Sequence, residues 1–304
     1  MSSIQTVTGP IEAADLGTTL PHEHVFIDHM LDNWMGANLL NDPVVAEREL
    51  VVAREAGVRT VVDQTGRGVH RDPLALKRLS EKTGLNIVTG TGWFKERFYD
   101  LDFSRTTADA LAAVMVADLT EGIDETGVRA GLLGEINVHA RWVTPGEERM
   151  HRAAARAQRA TGVGLAITGT HTSTAMEQLD ILDEEGADMT RVIVDHVNGV
   201  ADGDLHNAIA NRGPFTCFNT FPLGSRDLLD RDARQIGAMV DAGLIDHILA
   251  STGVSTKKHL SAYGGKGYSF AVTGLRDRVI AAGVSEQAWE HITVENPRRA
   301  LAGE

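Results

Sequence analysis

The sequence predicts one α/β domain spanning residues 1–304, folded as a (β/α)8 TIM barrel. Short apolar runs alternate regularly with longer amphipathic ones along the whole chain. Eight such strand-helix units can be counted, which suits a closed barrel better than an open sheet of five to seven strands. No Pro/Ser-rich linker or low-complexity stretch divides the chain.

In order, the strand-like runs are Thr19–Ile27, Val58–Asp63, Leu85–Thr89, Arg129–Ile136, Gly164–Thr170, Arg191–His196, Pro214–Asn219 and His247–Thr252. Most are rich in Val, Ile, Leu or Thr, as strands covered on both faces should be. Helical stretches lie between them at Pro43–Ala56, Pro73–Lys82, Thr106–Glu125, Pro145–Ala160, Ser173–Glu185, Gly203–Asn211 and Arg226–Ala242. Gly57, Gly84, Gly162 and Gly243 stand where helices stop and the next strand begins, as C-terminal glycines do. More helix follows at Tyr268–Ala282, Ser285–Glu290 and Asn296–Ala302.

Composition narrows the class. Hydrophobic residues make up 42% of the chain and charged residues 23%, an ordinary globular balance. No apolar run reaches the ~18 residues of a membrane span, and the N-terminus carries no basic and apolar leader. A net charge of −13 argues against nucleic acid or anionic membrane as a partner. The lone Cys217 allows no internal disulfide and reads as core packing. These features lead us to expect a cytoplasmic protein that acts on a small molecule.

In a parallel barrel the C-terminal strand ends converge on one pocket. His22 and His24 close the first strand, and with a period of two both imidazoles point inward while Glu23 points outward. Glu135 ends the fourth strand after four apolar or glycine residues, a costly carboxylate to bury unless it is paired or metal-bound. His171 ends the fifth strand and His196 the sixth. Four imidazoles and one carboxylate suit Zn²⁺, Mn²⁺, Co²⁺ or Fe²⁺. Glu135 can bridge two divalent ions about 3.5–4 Å apart.

The chain resembles the phosphotriesterase-related branch of the amidohydrolase superfamily. The segments that carry the likeness include Gly17-Thr18-Thr19-Leu20-Pro21-His22-Glu23-His24, Thr89-Gly90-Thr91-Gly92-Trp93 and Gly131-Leu132-Leu133-Gly134-Glu135-Ile136. Thr170-His171-Thr172, Gly264-Gly265-Lys266-Gly267-Tyr268 and Glu295-Asn296-Pro297 extend it nearly to the end. The resemblance implies a pair of divalent metal ions, most often zinc. It assigns His22 and His24 to the more buried ion, His171 and His196 to the more exposed one, and Glu135 to the bridge. Lactonases, aryl esterases, organophosphate triesterases and some amidases belong to this branch, often as homodimers. A lactone or other carboxylic ester is therefore the expected substrate.

The resemblance also implies an aspartate at the end of the eighth strand, as a metal ligand and proton acceptor. That position is Gly253, which has no side chain to serve either role. Losing a positioned base costs ~10²–10⁴-fold in rate. Asp63, or a relay through Ser251 or Thr252, is a candidate replacement. Asp195, next to His196, is expected to point away. A catalytically silent, small-molecule-binding barrel is the alternative reading. Around the pocket, Trp93, Phe94 and Phe221 read either as apolar walls or as loop anchors. Arg67 and Lys257 are candidates for an anionic substrate group.

Overall fold

The computed structural model describes residues 3–31, 35–99, 103–138, 141–169, 172–219 and 224–303. The eight expected strands are present as β1 (Thr19–Glu23), β2 (Thr60–Asp63), β3 (Asn86–Thr91), β4 (Leu132–Ile136), β5 (Leu165–Thr168), β6 (Val192–Asp195), β7 (Phe215–Phe218) and β8 (Ile248–Ala250). Each pairs with the next in parallel, from β1 to β8. The helices between them are α1 (Pro43–Glu55), α2 (Pro73–Thr83), α3 (Ala108–Thr120), α4 (Pro145–Thr161), α5 (Thr172–Glu184), α6 (Gly203–Asn211) and α7 (Arg226–Asp241).

Local chemistry starts and stops these helices. Asp42, Asp72 and Asp202 accept hydrogen bonds from the first free backbone N–H groups of α1, α2 and α6, and proline leads α1, α2 and α4. Thr144 and Glu147 cap α4 reciprocally. Gly84 and Gly162 end α2 and α4 in the left-handed conformation.

Inside the barrel, Val62, Val88, Leu132, Ala166, Ile193, Phe215, Cys217 and Leu249 pack into one apolar cluster. Ile4 and Leu16 join it from the N-terminal segment. A hairpin of Ser3–Thr6 and Gly9–Glu12, not anticipated from the sequence, brings Ile4 there. The hairpin is tied to the barrel by a bond from Val7 N–H to the Ile87 carbonyl. A larger layer between strands and helices includes Met115, Met150, Leu179 and Ile236. No helix among the described residues is long and apolar enough to cross a membrane.

Closure between β1 and β8 is made differently. No strand ladder joins β1 to β8 among the described residues. Pro21, which lacks an N–H, and the register slip between Leu20 and Glu23 belong to the β2 side, where Gln64 meets the Pro21 and Glu23 carbonyls. The Glu23 carboxylate bridges the β1–β8 seam. It accepts hydrogen bonds from Thr252 N–H and Val254 N–H at 2.7 Å each, from Gly253 N–H at 3.1 Å, and from the Ser251 hydroxyl at 2.7 Å. One backbone bond, from His24 N–H to the Val254 carbonyl at 2.9 Å, adds to it. Glu23 does turn away from its histidine neighbours, yet it is fully buried in the seam and does not reach solvent. Burial pushes its carboxyl up to about 7, against the downward pull of the four donors.

Replacing Glu23 by Gln turns an acceptor-only group into one that points an N–H₂ at backbone donors. Glu23→Gln should lower stability by ~2–4 kcal/mol, measured by denaturant unfolding. A change below ~0.5 kcal/mol would show that the seam does not depend on this carboxylate.

Candidate metal centre

His22, His24 and Glu135 present one ligand atom each within 4.8 Å of one another, and all three are buried. His24 Nε2 lies 3.7 Å from Glu135 Oε2, and His196 Nε2 lies 3.4 Å from Glu135 Oε1. These separations are long for hydrogen bonds. They match the ~3.4 Å spacing of two donors about 2.1 Å from a shared tetrahedral cation. The ring of His22 stands edge-on to both partners, its centroid 5.2 Å from that of His24 and 4.6 Å from that of His196. His22 Nε2 is buried without a hydrogen-bond partner among the described residues, and Nδ1 has only the Asp195 carboxylate, 3.1 Å away. An orphaned imidazole nitrogen beside a buried carboxylate is what a divalent cation satisfies, so the residues present fit such an ion.

Supporting groups hold these side chains. His24 Nδ1 is 3.0 Å from the Thr65 hydroxyl, and the Tyr268 hydroxyl donates to the His24 carbonyl at 2.8 Å. Glu135 accepts from Asn137 Nδ2 at 3.1 Å and from the Thr168 hydroxyl. The backbone N–H of His196 donates to Asn219 Oδ1 at 2.8 Å. Asn219 N–H in turn donates to Asn198 Oδ1, and Asn198 Nδ2 donates to Asp232 on α7. Sequence reasoning missed Asn219, although its place two residues beyond the inward-facing Cys217 marks it as an inward position.

The electrostatics follow from burial and proximity. Burial raises the Glu135 carboxyl, but His196, His22 and His24 outweigh it and hold the group well below the usual carboxylate range. Burial and the neighbouring His22 push the His24 imidazole far down. Burial opposes protonation of His22 as well. There the carboxylates, Asp195 first, prevail and raise it to about 9.

Asp195 does not point away. Its Oδ2 lies 3.1 Å from His22 Nδ1, and the residue is fully buried. The expectation counted the strand period back from His196. That residue, however, lies past the end of β6 with φ 59° and ψ 24°, where the alternation no longer holds. Counted from the inward-facing Ile193, Asp195 is inward.

The candidate replacements for the missing aspartate are engaged elsewhere. Asp63 accepts from Val25 N–H at 2.7 Å and Thr65 N–H at 3.0 Å, fixing the loop after β1. Ser251 is spent on Glu23 and His22, and the Thr252 hydroxyl donates to the Tyr268 carbonyl. Arg67, expected to meet an anionic substrate group, is bound to Asp118 at 3.3 Å and Asp124 at 2.8 Å. Its guanidinium also lies 5.5 Å from the Trp93 ring. Trp93 is buried with its ring centroid 5.9 Å from that of Phe103, and Phe94 is buried with its ring centroid 5.4 Å from that of Phe98. Lys257 lines a small cleft with Val25, Leu40, Tyr263 and Tyr268. His171 and Phe221 lie outside the described residues.

Gly253 has φ 78°, and a Cβ built on it would stand 1.7 Å from the Asn219 carbonyl oxygen. No side chain fits there without moving β7 or β8 apart. Gly253→Asp should therefore destabilise the fold by ~2–4 kcal/mol, read as a lowered unfolding midpoint. A Gly253→Asp protein as stable as the wild type would show that the strand ends yield easily.

Comparison with known proteins agrees with the barrel fold. The sequence profile of the phosphotriesterase family matches residues 2–301. N-acetyltaurine hydrolase of Tetraodon nigroviridis is 28% identical over 98% of this chain and 97% of its own length. A resiniferatoxin-binding protein from Rhodobacter sphaeroides superposes with a TM-score of 0.92 at 32% identity, covering 99% of this chain and 95% of that one. The phosphotriesterase homology protein of Escherichia coli, solved with phosphate in its active site, gives 0.89 at 27% identity over 94% and 98% of the two chains.

Proposed function

The chain belongs to the phosphotriesterase family, and from that premise we propose that it is a metal-dependent hydrolase cleaving a carbonyl bond, in a lactone, another carboxylic ester or an N-acyl amide. The observation that carries this reading is the buried cluster of His22, His24 and Glu135, with His196 at its open side. A divalent ion held there would supply Lewis acidity and acidify water. His22, His24 and Glu135 would hold it, and His196, which faces Glu135, would serve a second ion. His171 is assigned to that second ion by resemblance alone.

The protein's own residues do the rest. The Glu135 carboxylate stays ionised among the imidazoles and neutralises positive charge at the site. Thr168 and Asn137 both donate to its Oε1, leaving Oε2 toward His24, and Thr65 holds the His24 ring with Nε2 toward the cluster. His196, whose side chain is 22% exposed against about 1% for His22, marks the side from which a substrate approaches. The curated relatives hydrolyse N-acetyltaurine by name, which brings N-acyl amides into the substrate class beside lactones. Organophosphate triester hydrolysis is a side activity in this reading. We place the protein in the cytoplasm, as a possible homodimer.

The alternative, a silent binding barrel, is favoured by one pair of observations: Gly253 lacks the aspartate, and a relative 32% identical is a toxin-binding protein. One experiment separates the two. Protein stripped with a chelator and reloaded with Zn²⁺ or Mn²⁺ is assayed on lactones, aryl esters, N-acyl amides and a phosphotriester. The hydrolase reading predicts turnover of at least one carbonyl substrate, falling by at least ~10²-fold on stripping and returning on reloading. Saturable ligand binding with no turnover in any metal form would replace it with the binding reading.

A further inference from the structure

The polar groups not used above include one buried carboxylate that faces the cluster from β6. Asp195 is held at Oδ1 by Asn219 Nδ2 at 3.2 Å, while Oδ2 lies 3.1 Å from His22 Nδ1. The nearby Cys217 thiol, kept protonated by burial and by this carboxylate, gives Asp195 at most a weak hydrogen bond and no compensating charge. A buried carboxylate oxygen without a partner is costly, and His22 is the group placed to receive it. We propose that Asp195 is a positioning residue for metal binding: it accepts a hydrogen bond from His22 Nδ1–H and leaves Nε2 as the ligating nitrogen.

Three features of the fold support this assignment, which rests on the reading of the cluster as a metal site. His22 has no other orienting partner among the described residues, because apart from the Asp195 contact at Nδ1 its ring nitrogens meet no hydrogen-bonding group. His24 already has one in Thr65. A ligating imidazole commonly has its second nitrogen held by a carboxylate or carbonyl, which fixes both tautomer and ring angle. Next, β8 cannot provide a carboxylate, since the Asn219 carbonyl fills the space where a side chain on Gly253 would begin. Finally, Asn219 joins the two halves of the site. Its side chain binds Asp195 with one end and the His196 backbone with the other. The residue that closes off β8 is the one that steadies the carboxylate on β6.

The test uses zinc itself as the probe. Chelator competition gives the Zn²⁺ affinity of the metal-free wild type and of Asp195→Asn, alongside the unfolding midpoint of each metal-free protein. The expected result is a ~10–100-fold weaker affinity in the variant, out of proportion to any change in the midpoint. Unchanged zinc affinity in a folded Asp195→Asn would overturn the assignment while leaving the hydrolase reading intact. A wild type that binds no zinc, manganese, cobalt or iron would instead remove the reading on which it rests. Should Asp195→Asn fail to fold, imidazole ¹⁵N–¹H correlation spectra of the zinc-loaded wild type decide the matter. A protonated Nδ1 on His22 supports the proposal, and a metal-bound Nδ1 contradicts it.

Discussion

No strand ladder joins β1 to β8 among the described residues, and the barrel is closed there by a buried side chain. With the β1–β8 ladder broken, the Glu23 carboxylate gathers four donors from residues 251–254 and joins the strands through a side chain. Because Glu23 is drawn into the seam, the residues on either side of it, His22 and His24, are left to present their rings to the interior. Hydrogen bonds to an ionised acceptor are worth ~1.5–3 kcal/mol each, so one carboxylate can replace a short stretch of ladder. The element that closes the fold is thus the one that delivers two of the candidate ligands.

Charge balance in the interior is the second constraint. Glu135 and Asp195 both face a space lined by His22, His24 and His196. Two carboxylates buried this deeply need positive charge beside them. A proton on His22 supplies part of it, and the elevated pKa of about 9 expresses that need. A divalent cation would meet the same demand more completely and displace the proton, which would couple metal binding to proton release. In this view the cluster is assembled for a cation.

Much of this was legible in the residues. Apolar runs marked all eight strands, four of them following a glycine that ends a helix, and α6 matches its expected span because Asp202 caps one end and Gly213 follows the other. The inward histidines and Glu135 were readable because metal-ligand residue types rarely end several barrel strands by accident. What escaped depended on departures from regular geometry. A left-handed His196 hid the inward direction of Asp195, and the missing β1–β8 ladder, which no local sequence signal announces, hid the work of Glu23. Arg67 looked free because its partners, Asp118 and Asp124, lie more than fifty residues away in sequence. Gly253 read as a missing aspartate; the structure adds that the Asn219 carbonyl leaves no room for one.

The central claim is that the barrel mouth holds a divalent cation between His22, His24 and Glu135. Anomalous diffraction at the zinc edge, from crystals of the zinc-loaded protein, tests it most directly. The account predicts a strong peak within ligand distance of those three side chains, about 2.0–2.2 Å from their donor atoms, with His22 Nδ1 still facing Asp195. No peak at this position, with the three side chains packed against one another, would contradict it.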